Sequence, residues 1–277
     1  MADISAADVG KLREMTNAGF MECKKALTES KGNFEAAVDI LRKKGAATAA
    51  KKADRDAKEG VIAQYIQPGA RLGILAEINC ETDFVARNES FRAFCDNMTR
   101  KLVEVPGIEA LEADRVAAVA KIGENIKISR FIRYDVTGNG IVAAYIHTGS
   151  KVGVLVEVGA GKEATVSNDD FKQLTRDITL QIAAGSPLAV SRESIPADVI
   201  EKEKEIAAEQ VKNKPPQAIA KIVEGKLEKF FQTCCLVDQG FVKRNSEVSL
   251  KEHVATVAKQ LGDEITIRRF VRFQVGA

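Results

Sequence analysis

The chain has 277 residues, of which 45% are apolar and 29% charged, as is typical of a globular protein with two or three domains and a substantial core. Its 41 basic and 39 acidic residues leave a net charge of +2, which argues against direct binding to nucleic acid or to an anionic membrane. No apolar run approaches the roughly 18 residues of a membrane span, and the N-terminus lacks the basic start and apolar stretch of a signal peptide, so we expect a cytoplasmic protein.

Residues 1–45 are predicted to form a small N-terminal domain of three helices. Ser5 and Asp8 have the spacing of a capping box at the start of the first helix. Asn33 is a plausible N-cap for the third helix, and Gly45 is expected to end it. Residues 46–59 carry mixed charges and no apolar face, which predicts a solvated linker and leaves partial helix formation open.

Phe20 and Met21 stand at the predicted start of the second helix. A Phe-Met pair in this position usually belongs to the core. The alternative is an exposed apolar knob on the N-terminal domain, which would be available to a partner.

The rest of the chain contains two degenerate copies of one unit. Residues 60–77 match residues 140–157 with eight identities, and residues 123–136 match residues 262–275 with seven. Each copy opens with two strand-like runs around a glycine-containing turn, continues with helices and closes with a third strand. We therefore predict an α+β protein with a duplicated β-β-α-α-β core, in which each antiparallel sheet carries helices on one face.

The offset between the copies grows from 80 residues at their start to 139 at their end, which indicates an insertion of 59 residues in the second copy. We place a first lobe at 60–137, a second lobe at 138–185 and 245–277, and an inserted helical hairpin, or coiled coil, at 186–244. Its two helices lie on either side of Pro215-Pro216. The apolar residues of the hairpin could close it on itself or allow self-association, and the sequence does not decide between these.

The two copies disagree just after their second strand. The first reads Glu81-Thr82-Asp83-Phe84-Val85, and Ala164 occupies the position equivalent to Phe84 in the second. An aromatic ring beside a carboxylate, between a strand and a helix, is a candidate wedge for a partner. Phe84 could instead pack beneath its own sheet, but Ala164 indicates that the scaffold does not require a ring there.

Other motifs give weaker signals. Gly138-Asn-Gly140 begins a formal dinucleotide-binding pattern, but the segment after it is predicted to be a strand, so we expect a hairpin turn and no cofactor. Cys80 beside Asp83 allows a thiol-dependent enzyme as an alternative, in which a histidine such as His147, distant in sequence, would have to approach in the fold. His147 lies in a predicted turn, where an exposed polar residue or a partner contact is more usual. The five cysteines and two histidines have no spacing typical of a metal site.

The chain resembles the bacterial elongation factor Ts family, the guanine nucleotide exchange factors of elongation factor Tu. The resemblance covers essentially the whole length. It is carried by the segments Leu12-Arg13-Glu14-Met15-Thr16-Asn17-Ala18-Gly19, Cys23-Lys24-Lys25-Ala26-Leu27, Glu77-Ile78-Asn79-Cys80-Glu81-Thr82-Asp83-Phe84-Val85-Ala86 and Lys121-Ile122-Gly123-Glu124-Asn125-Ile126. It implies a ubiquitin-associated-like N-terminal domain, a two-lobed core and a coiled-coil hairpin.

The resemblance also implies a set of partner contacts and no covalent chemistry. The segment Thr82, Asp83, Phe84 and Val85 would enter the GTPase beside its magnesium site. Further contacts with the partner would be made by Phe20, Met21, Ile122, Gly123 and His147. Longer family members have a C-terminal helix beyond the position of Ala277, so we do not carry over a contact through that helix. A passive binding module built on the N-terminal domain is the remaining alternative.

Overall fold

The computed structural model describes residues 4–16 and 18–277. The N-terminal domain consists of α1 (Ala6–Thr16), α2 (Phe20–Glu29) and α3 (Phe34–Lys52). Both predicted caps are confirmed: Ser5 and Asp8 bond reciprocally at the start of α1, and the Asn33 side chain accepts a hydrogen bond from the Ala36 amide at 3.0 Å. The domain core is small, and its fully buried side chains are Val9, Leu12, Cys23, Ala26, Leu27 and Ala37.

Helix α3 continues through Gly45, and the prediction that this glycine ends the helix is wrong. Gly45 faces the helix Glu112–Ile122 of the first lobe, where an added Cβ would lie 3.5 Å from Val116 and 3.7 Å from Ala120. The alanine-rich segment that follows favours helix, and Ala49 is buried in the first-lobe core. Only residues 53–58 connect α3 to the first strand, so the predicted linker is half helix and packs on the core.

The first lobe follows the predicted order of elements with one addition, a short helix directly after its second strand. Its members are β1 (Glu59–Ile66), β2 (Leu72–Cys80), α4 (Asp83–Arg87), α5 (Glu89–Lys101), α6 (Glu112–Ile122) and β3 (Lys127–Asp135). The three strands form an antiparallel sheet in the order β1-β2-β3. Helices cover one face of the sheet around Phe91, Met98 and Val119.

The second lobe repeats this arrangement and contains the inserted helices. Its members are β4 (Gly140–Ile146), β5 (Val152–Ala160), α7 (Glu163–Ser167), α8 (Asp169–Gly185), the inserted α9 (Ala197–Glu209) and α10 (Pro216–Cys234), then α11 (Leu250–Leu261) and β6 (Ile265–Gln274). The strands are antiparallel in the order β4-β5-β6. Asn88 and Asn168 cap α5 and α8 in the same way, as expected from their equivalent positions.

The two sheets face each other through the faces that the helices leave free. A shared apolar cluster between them contains Ile62, Leu75, Tyr134, Val136, Val142, Leu155 and Phe273. Two backbone hydrogen bonds cross between the lobes at equivalent positions: the Ile62 amide donates to the Ser150 carbonyl at 2.7 Å, and the Val142 amide donates to the Ala70 carbonyl at 2.8 Å. Because β2 is covered on both faces, all nine of its residues are buried.

An arginine from the last strand of each lobe reaches the opposite lobe. Arg130 lies over the Phe273 ring at 4.4 Å, and Arg269 lies over the Tyr134 ring at 4.2 Å. These pairs are equivalent under the sequence repeat, so the internal symmetry of the chain extends to the contacts that join its halves.

The connection at Gly138 links the two lobes. Strands β3 and β4 belong to different sheets, so the predicted hairpin turn at Gly138-Asn-Gly140 is wrong. Gly138 has a φ of +62°, and an added Cβ on Gly140 would lie only 2.7 Å from the Val158 carbonyl oxygen. Gly138 adopts the positive φ, and Gly140 allows the start of β4 to approach the neighbouring backbone closely.

The inserted helices turn around Pro215, as predicted. The C-terminal part of the 186–244 segment packs into the second lobe, where Leu236 and Phe241 are buried in its core. Val199 and Ile206 on α9 remain at least one third exposed, so self-association through this hairpin stays a prediction. Among the described residues, no helix is both long and apolar enough to cross a membrane.

Candidate partner-binding site

The segment that distinguishes the first lobe forms the short helix α4 at the end of β2. Thr82 is its N-cap, and the side-chain oxygen accepts a hydrogen bond from the Val85 amide at 3.3 Å. Ala86 is buried, and Val85 packs partly buried against the first-lobe core. One side of α4 is therefore fixed to the lobe.

Phe84 lies on the other side of α4 and is 82% exposed. The alternative in which this ring packs beneath its own sheet is wrong. Ala164 at the equivalent position is exposed as well, so neither lobe uses this side chain in its core. Asp83 precedes the ring and forms an ion pair with Arg87 one helical turn later, at 2.9 Å.

The loop before α4 is held by Glu124. Its carboxylate accepts hydrogen bonds from the amides of Glu81 and Thr82, both at 3.0 Å, and from the Thr82 hydroxyl at 2.6 Å. The Glu81 carboxylate accepts a hydrogen bond from the Asn125 amide at 2.6 Å. Glu124 thus bonds to the backbone at residues 81 and 82, and Glu81 bonds to the backbone amide of the residue that follows Glu124.

Ile122 and Gly123 form the end of α6, immediately before Glu124. Gly123 adopts a left-handed conformation with a φ of +86° and caps the helix by donating to the Val119 carbonyl at 2.9 Å. Lys52 at the end of α3 donates to the Gly123 carbonyl. Ile122 is half-buried against the first-lobe core, whereas Gly123 is exposed.

Phe20 and Met21 begin α2 and are 44% and 60% exposed, so the interpretation of this pair as core is wrong. Met15, on α1, is 61% exposed and was not a predicted contact. Three large apolar side chains are thus open to solvent in a domain of about fifty residues, and large exposed apolar groups are typical of binding surfaces.

His147 lies in the exposed turn between β4 and β5, as predicted. Its Nδ1 is 3.0 Å from the Tyr145 hydroxyl. Both residues border a cleft of about 480 Å³ that Leu180, Val242 and Arg272 also line. The cleft combines apolar walls with polar groups at its rim, a composition suited to receiving a side chain of a partner.

Cys80 is the last residue of β2 and is fully buried. Its thiol donates a hydrogen bond to the Thr82 carbonyl at 3.2 Å. Burial raises the pKa of the thiol to about 12, and the nearby Glu124 carboxylate adds to this. Since the thiolate is the reactive form, Cys80 is poorly suited to nucleophilic catalysis. The described residues include no group of three or more His, Cys, Asp or Glu side chains placed to hold a metal ion.

The predicted contact residues are spread over the N-terminal domain, the first lobe and the second lobe. The structure joins two of the predicted segments directly, because Glu124 connects the end of α6 to Thr82. The sequence prediction missed Arg87, Glu81 and Glu124 as parts of this site. The repeat contained a signal for Glu124, which aligns with another carboxylate, Asp263.

Comparisons with known proteins all find one family. The family model described as "Elongation factor TS" matches residues 81–277. Elongation factor Ts of Symbiobacterium thermophilum is 46% identical over 284 residues, which cover 100% of this chain and 93% of that protein. Elongation factor Ts of Chlorobium phaeobacteroides is 42% identical over 296 residues and is covered completely, as is this chain. Elongation factor Ts of a Nostoc species is 41% identical over 293 residues, covering 100% of this chain and 93% of that protein.

Proposed function

The chain belongs to the elongation factor Ts family, and from this premise we propose that it is a guanine nucleotide exchange factor that binds elongation factor Tu carrying GDP and promotes GDP release in the cytoplasm. The observation that carries the proposal is the exposed Phe84 ring on a helix whose opposite side is fixed to the first lobe. An apolar ring held outward in this way can enter a partner without reorganising its own domain.

Magnesium explains why such a ring can release a nucleotide. The ion bridges nucleotide phosphates to the GTPase and requires near-octahedral oxygen ligands at short distances. In the proposed complex, Phe84 enters between elements of Tu beside this site and displaces groups that orient the ligands, with Thr82, Asp83 and Val85 lying against the same surface. The phosphates then lose their main counter-charge, and GDP dissociates faster.

The other exposed residues provide binding energy for the same complex. We assign Ile122 and Gly123 to a contact near the phosphate loop of Tu, Phe20 and Met21 to a second contact with the GTPase domain, and His147 to another domain of Tu. Because the coupling between two ligands is reciprocal, nucleotide binding to Tu must weaken the binding of this protein by the same factor. Repeated exchange then requires neither a bond-making step nor a cofactor on this chain.

Release of fluorescent GDP from elongation factor Tu tests the proposal. We expect the unaltered protein to accelerate release, and Phe84→Ala to slow it by tenfold or more, equivalent to about 1.4 kcal/mol per decade. Leu188→Ala is the matched control, because Leu188 is 74% exposed on the inserted segment and has no proposed role. Acceleration by Phe84→Ala equal to that of the unaltered protein would contradict the wedge.

Two alternatives have separate outcomes in this assay. A passive module, which the exposed Met15, Phe20 and Met21 would suit, would bind Tu and leave GDP release unchanged. A thiol-dependent activity would be abolished in Cys80→Ala, whereas we expect that variant to keep most of its exchange activity because Cys80 is buried at the end of a strand.

A further inference from the structure

We propose that Glu81 and Glu124 are positioning residues for nucleotide exchange, and that they join the Phe84 helix and the Ile122-Gly123 turn into one rigid unit that acts on the partner. This inference rests on the proposed function and adds to it two residues that are not themselves partner contacts.

Helix α4 depends on its surroundings for stability, because it runs only from Asp83 to Arg87. A helix of five residues is far too short to be stable alone, because nucleation costs more than its few hydrogen bonds return. The direction of the Phe84 ring therefore depends on what holds the ends of α4. The Glu124 carboxylate bonds the two backbone amides and the hydroxyl immediately before the helix, at 2.6–3.0 Å, and fixes its N-cap residue from both main chain and side chain.

Glu81 completes the link in the opposite direction. Its carboxylate accepts a hydrogen bond from the backbone amide of Asn125 at 2.6 Å and lies 3.5 Å from the Arg55 guanidinium. The Asn125 side chain is fully buried and donates to the Ala53 and Arg55 carbonyls at 3.2 and 2.8 Å. Bonds through residues 81 and 124–125 thus hold together the loop before α4, the end of α6 and the segment after α3.

The second lobe provides an internal comparison. Asp263, equivalent to Glu124, accepts hydrogen bonds from the Lys162 amide at 2.9 Å and the Thr165 hydroxyl at 2.6 Å. The residue equivalent to Glu81 is Gly161, which has no side chain to return the contact. One carboxylate therefore suffices to fold this loop, and the additional one occurs in the lobe that carries the exposed ring.

The additional carboxylate, Glu81, helps to hold the Phe84 helix in the position needed for binding. The Phe84 ring must displace packed groups in the partner. If α4 can move, the binding energy shifts α4 and does not displace those groups, so GDP release is accelerated less. A rigid link to the Ile122-Gly123 turn also fixes the spacing between two points of contact. We expect loss of the link to lower the maximal rate of GDP release more than the affinity for Tu.

Glu124→Ala and Asp263→Ala form the matched pair for the test. We expect similar falls in melting temperature for both, but a tenfold or greater loss of maximal GDP release only for Glu124→Ala, with the half-saturating concentration changed by less than threefold. Glu124→Gln, which keeps one acceptor oxygen, should recover part of the rate. Equal exchange rates for Glu124→Ala and the unaltered protein would overturn the proposal, as would equal losses in the two variants.

A double mutant separates positioning from a general structural effect. If Glu124 acts through the Phe84 helix, Phe84→Ala combined with Glu124→Ala should be within about threefold of the slower single variant, because coupled residues are not additive. A double variant whose loss of exchange rate equals the product of the two single losses would overturn the proposal. If Glu124→Ala fails to fold, the same measurements are made on Glu81→Ala. This variant removes only the carboxylate that the second lobe lacks, since Gly161 is the equivalent residue there. An unaltered protein that leaves GDP release unchanged would refute the proposed function itself, which is a different outcome from any of these.

Discussion

Phe91 in the first lobe and Phe171 in the second occupy equivalent positions and are both fully buried, whereas Phe84 and Ala164, also equivalent, are both exposed. The first pair is kept in both copies because each lobe needs a ring beneath its sheet. The second pair is free to differ because nothing in either core depends on it. Comparing the lobes thus separates the residues that fold the scaffold from those available for a partner.

The largest expected effect is on the shared core. Phe91→Ala and Phe171→Ala should each lower the free energy of unfolding by about 3–5 kcal/mol, because each leaves a ring-sized cavity in a packed core. Urea denaturation measures both, with Phe84→Ala as an exposed control expected to change stability by less than about 0.5 kcal/mol. If either variant kept the free energy of unfolding of the unaltered protein, that lobe would not need the ring, and the comparison of the two lobes would be wrong.

A smaller difference is expected at the buried carboxylates Glu77 and Glu157. Glu77 is paired with Arg130 at 2.8 Å, whereas Glu157 is paired with both Arg269 at 2.7 Å and Arg268 at 2.9 Å. Arg130→Met should therefore cost about 1–3 kcal/mol, and Arg269→Met should cost less because one arginine still neutralises Glu157. Equal costs in urea denaturation would show that Arg268 does not compensate.

The smallest effect concerns pH and is confined to the second lobe, since residues 60–137 contain no histidine. The His253 ring is stacked on Phe241 at 4.3 Å, and burial lowers the pKa of His253 below its ordinary value of 6.5. The Asp177 carboxylate, 4.0 Å away, opposes this lowering, whereas Arg244 and Lys243 add to it.

The unfolded chain then binds a proton more readily than the folded protein, so stability is fully present above about pH 7.5 and falls as pH drops through about 6.5. Thermal unfolding from pH 7.5 to 5.5 should show the unaltered protein losing stability relative to His253→Gln. Parallel pH profiles for the two proteins would contradict this account.

The repeat in the sequence was sufficient to predict two antiparallel three-stranded sheets with helices. It worked because alternation and helical spacing directly reflect which faces are buried. The end of α3 was not predictable in this way. Gly45 weakens a helix locally, and the contact that compensates, with Val116 on α6, lies about seventy residues further along the chain.

The candidate site was predicted in part. Phe84 followed from the disagreement between the copies, because an unshared residue does not serve a shared scaffold. The exposure of Met15 did not follow from the sequence, since its spacing from the buried Leu12 is that of a core position. The Glu81–Glu124 contact joins residues more than forty positions apart, and only the folded chain brings them together.

The two backbone hydrogen bonds between the sheets have the pattern of an isologous interface. Ile62 bonds to Ser150, and their counterparts in the repeat, Val142 and Ala70, bond to each other. Two identical subunits related by a two-fold axis would make these contacts. Because such subunits are identical, a ring at the position of Phe84 would occur in both, on opposite sides of the axis. Joining the halves in one chain removes that constraint, and of the two equivalent positions only residue 84 carries a ring, because residue 164 is alanine.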